Sequence, residues 1–180
     1  MGMKLEMLVI LASPAMETPS DQRLRWNAHH VAEGLLALMP SKLELDGSAK
    51  IQITCGTSGD EPQHQQLLGS TNYFAEDFDA SLFYASSGRA RDDYLLGVVE
   101  AALCDMASQH GQESAVAIIR AAADSLCEQD FSLKIRVGKL CRWSRDRRLR
   151  VEVFRCLNRD DGGAWCLHVT KKGAAQSSPP

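Results

Sequence analysis

The chain contains no apolar run approaching the roughly 20 residues that a membrane-spanning helix needs. None of its six cysteines forms a CxxC pair, which excludes the usual zinc-ribbon and redox spacings. There is no GxSxG, no HExxH and no Walker loop, so no hydrolase or nucleotide-binding signature identifies a reaction. Internal repeats are also absent, because the helical stretches and the late strands share no common register.

What is present is ordinary in bulk and uneven in distribution. The 180 residues are 44% apolar and 24% charged, which suits one folded domain with its own core. Residues 131 to 173 carry twelve Lys or Arg against four Asp or Glu, and the remainder carries eight against nineteen. The net charge of -3 therefore hides a basic C-terminal part and an acidic N-terminal part. Two surfaces of opposite sign are available, to each other or to partners.

The N-terminal stretch MGMKLEMLVILASPA is expected to be a first strand and not a leader, since Glu6 interrupts its apolar run. Cys104 and Cys127 fall within apolar helical patterns, where a thiol acts as a small hydrophobe. That usage points to a reducing cytoplasm and not to a disulfide framework.

Lys4 to Leu11 reads as a strand. Thr18-Pro19-Ser20-Asp21 reads as a helix start, with a hydroxyl cap and Pro at the first helical position. The stripe Leu24, Ala28, Val31, Leu35 and Leu38 predicts a helix that Pro40 ends. Asp46-Gly47, flanked by Leu43 to Leu45 and Lys50 to Cys55, predicts a hairpin. Residues 56–71 read as a long loop, with a short helix near Gln63 to Leu68. The aromatics of Phe78 to Ala85 favour a strand. Two helices follow, Asp92 to His110 and Gln112 to Gln129, separated at Gly111 and packed antiparallel.

From Leu133 the period changes to two. Leu133, Ile135, Val137, Cys141 and Trp143 alternate with basic residues. Leu149, Val151 and Val153, then Trp165, Leu167 and Val169, continue the pattern. This predicts a three-stranded antiparallel meander with one apolar face. The expected fold is α+β: one domain over residues 1–172, with an antiparallel sheet of N-terminal strands plus this meander, packed on about three helices. Residues 173–180 read as a disordered tail.

The meander defines the main candidate site. With the odd-numbered residues inward, Lys134, Arg136, Arg142, Arg148 and Arg150 share the outer face with Phe154. Such a face docks an acidic protein surface, or holds phosphates while the ring stacks a base. The overall pI near 5.9 puts nucleic acid behind a protein partner. Glu76, Asp77 and Asp79 form an acidic loop, either a DxD metal ligand set or a surface for a basic partner. Cys156, Cys166 and His168 supply three of four zinc ligands if the strands pair so that the cysteines face each other. Cys55, after a strand and before glycines, is a candidate nucleophile with His64 or His110 as base. His29 and His30 lie about 100° apart on a helix and read as ordinary helix residues. None of these sets is complete, and no metal or cofactor is expected.

Small acidic α+β chains without enzyme motifs occur often among bacterial toxin-neutralising immunity proteins and secretion accessory proteins. The expected function is therefore non-enzymatic: charge-complementary masking of one protein partner, a toxin or effector. Nucleic-acid binding by the meander and Cys55-dependent hydrolysis are the alternatives.

Overall fold

The computed structural model describes residues 4–16, 24–41, 43–59 and 62–172. The helix start read at Thr18 to Asp21 and the tail from Gly173 lie outside the described residues. β1 (Met7–Ala12) leads through α1 (Leu24–Leu38) to β2 (Lys50–Cys55). β3 (His64–Leu67) and β4 (Ser70–Ala75) follow, then α2 (Ala80–Ala85), α3 (Gly88–Gln109) and α4 (Glu113–Glu128). The remaining elements are β5 (Leu133–Arg136), a 3₁₀ turn (Gly138–Leu140), β6 (Arg142–Trp143), β7 (Leu149–Asn158) and β8 (Gly162–Lys171).

The class is α+β, as expected, with four α-helices among the described residues. The N-terminal strands do not join the meander in the single antiparallel sheet expected, because they pair mainly in parallel with one another, and the strands form two sheets. The first has the order β1-β2-β4-β3. Its first three strands run parallel, and β3 is antiparallel to β4. The hairpin expected at Asp46-Gly47 does not form. Both edges of β2 are taken, by β1 and by β4, so no edge remains for Leu43 to Leu45. Those leucines are buried in the loop, and the turn survives as an Asx turn in which Ser48 N–H donates to Asp46 Oδ1.

The expected long loop contains a hairpin instead. β3 and β4 are joined by Leu68 and Gly69, both at positive φ (49° and 77°), as a two-residue primed turn requires. Leucine is a poor turn residue, which is why the turn was not legible. The aromatic stretch after Phe78 is helix α2, not strand. Asp79 caps it by accepting from Leu82 N–H at 2.9 Å, and Phe83 turns fully inward.

α1 lies between the sheets, against β1 on one side and β7 and β8 on the other. Gly34 permits its approach to α4: a Cβ there would stand 2.9 Å from Leu126 Cδ1. The core is continuous, running from Ile51 and Ile53 of the first sheet through Leu35, Leu103 and Leu126 to Leu133 and Leu157 of the second.

The second sheet is the expected meander. β7 takes β8 along its whole length and takes β5 and β6 in turn on its other edge.

Candidate protein-binding face

The two faces of the meander follow from its register. Arg136 pairs with Phe154, but Arg142 pairs with Val151 and Trp143 with Arg150. The 3₁₀ turn shifts the pairing by an odd number of residues, and such a shift exchanges the faces. Arg142 therefore leaves the basic face expected for it and stands on the face of Val151 and Val153. Trp143, expected inward, stands outward, with the Arg150 guanidinium 5.8 Å from its ring centroid.

The outer face keeps Arg136, Arg150 and Phe154, with Arg148 in the turn before β7. It is largely satisfied from within. Glu152 accepts from Arg136 at 2.9 Å and from Arg150 at 3.0 Å. Arg148 lies 3.6 Å from Asp146. Phe154 is half-buried, under the Lys134 ammonium at 4.8 Å and beside the His168 ring at 4.9 Å. The ring is thus not an open stacking platform.

The inner face behaves differently on β7 and on β8. Val153 and Leu157 are buried, and Arg155 donates to Glu33 of α1 at 2.9 Å. Beyond the reach of α1 the same face is bare. Trp165, Leu167 and Val169 pair with Arg155, Val153 and Val151, which is the expected inward side. Yet they are 62%, 65% and 61% exposed, so the expectation that they enter the core is corrected. Trp26, at the start of α1, is 67% exposed and borders a hollow that Gly162 and Gly163 also line. The strip runs from Trp26 along β8 and ends at Lys171, which pairs with Leu149. Two tryptophans of about 200 Å² each already approach the few hundred Å² of contiguous apolar surface at which a patch carries meaning.

Cations gather at one end of this strip. Arg142, Arg145, Arg147, Lys171 and Lys172 have no carboxylate partner among the described residues. At the same end of the sheet, Trp143, Arg147 and Lys172 bound a hollow of about 410 Å³ that includes the outward-facing Trp143.

No protein-family model, curated protein or solved structure matches this chain.

The other candidates are dispersed. Asp79 caps α2, Glu76 accepts from Ser58 Oγ, and Asp77 is exposed. Glu76 and Asp77 rim a mostly apolar groove of about 410 Å³ that also includes Phe78, Tyr94 and Val98. Cys55 ends β2 but is fully buried, and burial pushes its thiol up to about 12. Among the described residues no imidazole hydrogen-bonds it, so it lacks the activation a nucleophile needs. Cys156 lies opposite Ala164 and Cys166 opposite Phe154. The two thiols meet at 2.7 Å, while His168 Nε2 is 2.8 Å from Lys134 Nζ, so the three do not converge on one ion. His29 and His30 do diverge. His29 approaches Gly163, and His30 is buried with Nε2 3.1 Å from Asp92 Oδ1.

Two groups had no clear signal in the sequence. Trp165 looks like a core residue by its alternation, Trp26 lies off the apolar stripe of α1, and only the packing shows that both are exposed. Asp46, His64 and His110 are far apart in sequence, yet their ligand atoms all lie within 4.8 Å of one another.

Proposed function

We propose that this chain is a protein-binding module and that its binding face is the bare strip of β8 with Trp26. The observation that carries this reading is the exposure of Trp165, Leu167 and Val169 on one side of β8, with the exposed Trp26 across the hollow at the start of that strand. Tryptophan and arginine dominate binding energy at protein interfaces. The free cations Arg142, Arg147, Lys171 and Lys172 flank the strip, so the complementary partner is a protein with an apolar ridge beside carboxylates. A toxin or secreted effector of that surface chemistry, masked by this chain, is the partner class that the absence of enzyme motifs also favours. The outer face is secondary, because Glu152 already neutralises Arg136 and Arg150.

The test is retention of a partner from the native cells by immobilised protein at about 0.15 M salt. One protein should be held by the parent chain and by Arg136→Glu, and lost with Leu167→Asp. Retention insensitive to Leu167→Asp defeats the reading. So does submicromolar binding of labelled DNA or RNA that is lost with Arg148→Glu and Arg150→Glu, which returns the basic outer face to first place. A stable dimer of the purified parent chain, broken by Leu167→Asp, reassigns the strip to self-association.

A further inference from the structure

We propose that Asp46, His64 and His110 form a binding site for one divalent transition-metal ion of the zinc type, with a coordination position left open. The site lies where the C-terminal end of α3 meets edge strand β3, and it is independent of the β8 strip.

The hydrogen-bond directions carry the argument. Asp105 is an acceptor, and it takes the Tyr73 hydroxyl and the Gln109 Nε2 amide, each at 2.8 Å. That contact fixes the Gln109 amide, so its Oε1 is the atom facing His64 Nδ1 at 3.4 Å. His64 Nδ1 therefore carries the proton. The other ring nitrogen, Nε2, is buried, makes no hydrogen bond and lies 3.5 Å from Asp46 Oδ2. A neutral imidazole would there present a lone pair to a carboxylate. Such a pair calls for a cation between the two atoms, either a second proton on the ring or a metal ion.

Geometry and surroundings favour the metal. An ion about 2.05 Å from both atoms makes an angle of about 117° across that 3.5 Å gap, close to tetrahedral. His110 supplies the third donor, with its ring centroid 5.5 Å from that of His64. It is exposed at the end of α3, so its side chain is free to rotate and bring a separation of up to 4.8 Å to the roughly 3.3 Å between ligand atoms of a tetrahedral ion.

The supporting contacts are those metal ligands use. His64 donates its second nitrogen to an amide oxygen. The Asp46 carboxylate is fully buried and held by Ser48 N–H at 2.9 Å and by the Thr71 hydroxyl. The negative end of the α3 dipole adds to the preference for a cation. Two imidazoles and one carboxylate match the donor set of three-ligand zinc sites, whose fourth position holds water or substrate. The same set with more open positions takes ferrous iron.

The test titrates metal-free full-length protein carrying Cys156→Ser and Cys166→Ser, so that the thiol pair does not compete. Zn²⁺ is followed by calorimetry and Co²⁺ by its visible spectrum. One equivalent should bind, with a tetrahedral Co²⁺ spectrum and no thiolate charge-transfer band. His110→Ala, at an exposed position that the fold does not need, should weaken binding by tenfold or more. Gln109→Leu should weaken it by about tenfold or more through loss of the second contact of His64. Absence of one-to-one binding overturns the proposal. Binding that His110→Ala and Gln109→Leu leave unchanged, or that shows a thiolate band, also overturns it.

Discussion

Arg159 Nε lies 2.6 Å from Asp92 Oδ2, and this contact joins the β7–β8 turn to α3. His30 of α1 takes the other carboxylate oxygen at 3.1 Å, and Arg159 also reaches Asp130 at 3.4 Å. One buried carboxylate thus ties the second sheet to two helices of the core. Part of the charge asymmetry in the chain is used here, within the molecule. A second part is used where Arg155 meets Glu33.

Asp92 is 1% exposed, so removing it takes the carboxylate from His30 and leaves Arg159 only its longer contact to Asp130. Asp92→Ala should destabilise the fold by about 3 to 5 kcal/mol, the usual cost of breaking a buried pair from one side. Urea unfolding checks this. A loss under 1 kcal/mol would mean that water replaces the carboxylate readily and that the clamp is not structural.

The same residue gives a pH dependence. Burial pushes the Asp92 carboxyl up, but hydrogen bonds from His30 and Arg159 outweigh it and hold it below 3.8. A lowered folded pKa contributes stability that is complete above the unfolded value. It is lost as pH falls from about 4 through the folded value. Asp46 is lowered in the same sense, its burial outweighed by bonds from the Thr71 hydroxyl and the Ser48 N–H. Stability should therefore drop as the pH is lowered below about 4, and Asp92→Asn should flatten part of that drop. An unchanged slope in the variant would assign the acid transition to other carboxylates.

Cys55 should behave as a packing residue. With its thiol pushed up to about 12 and no exposure, native protein at neutral pH should leave it unalkylated by iodoacetamide, and denaturant should make it reactive. Peptide mass spectrometry reads both states. Rapid alkylation in the native state would reopen the nucleophile reading. Cys55→Ala should cost about 1 to 2 kcal/mol through the lost sulfur contacts.

Leu68 offers a stabilising change. It is 96% exposed and held at φ 49°, a conformation that costs a branched side chain about 1 kcal/mol. Leu68→Asn, which tolerates that region and suits the primed turn, should raise stability by about 0.5 to 1 kcal/mol. Thermal unfolding of the two proteins decides it, and a lower midpoint in the variant would mean that Leu68 has contacts beyond the turn.

Binding should separate from stability at the β8 strip. Trp165→Ser removes a side chain that is 62% exposed. It should change stability by no more than about 0.5 kcal/mol and weaken partner binding by about 2 kcal/mol or more, the scale of an interfacial hot spot. Parallel unfolding and binding titrations test the pair of outcomes. A large stability loss with unchanged affinity would return Trp165 to a purely structural role.

Local chemistry determined much of this protein before any packing. The period of the apolar stripe gave α1, and the same logic gave α3 and α4 on either side of Gly111. Alternation gave the strands of the meander, because a strand with one covered face must repeat every two residues. The turn at Leu68-Gly69 and the cap at Asp79 were hidden, since one uses an unlikely residue and the other lies within an aromatic run. Tertiary structure alone decided the rest. Whether β2 pairs parallel or folds into a hairpin depends on which edges are free, and residues distant in sequence set that. The face that Arg142 occupies depends on the odd length of a 3₁₀ turn. Whether Trp165, Leu167 and Val169 are core or surface depends on how far α1 extends across the sheet. The convergence of Asp46, His64 and His110 depends on where α3 ends against β3. Periodicity reports which side of an element is apolar; only the assembled fold determines whether another element covers it.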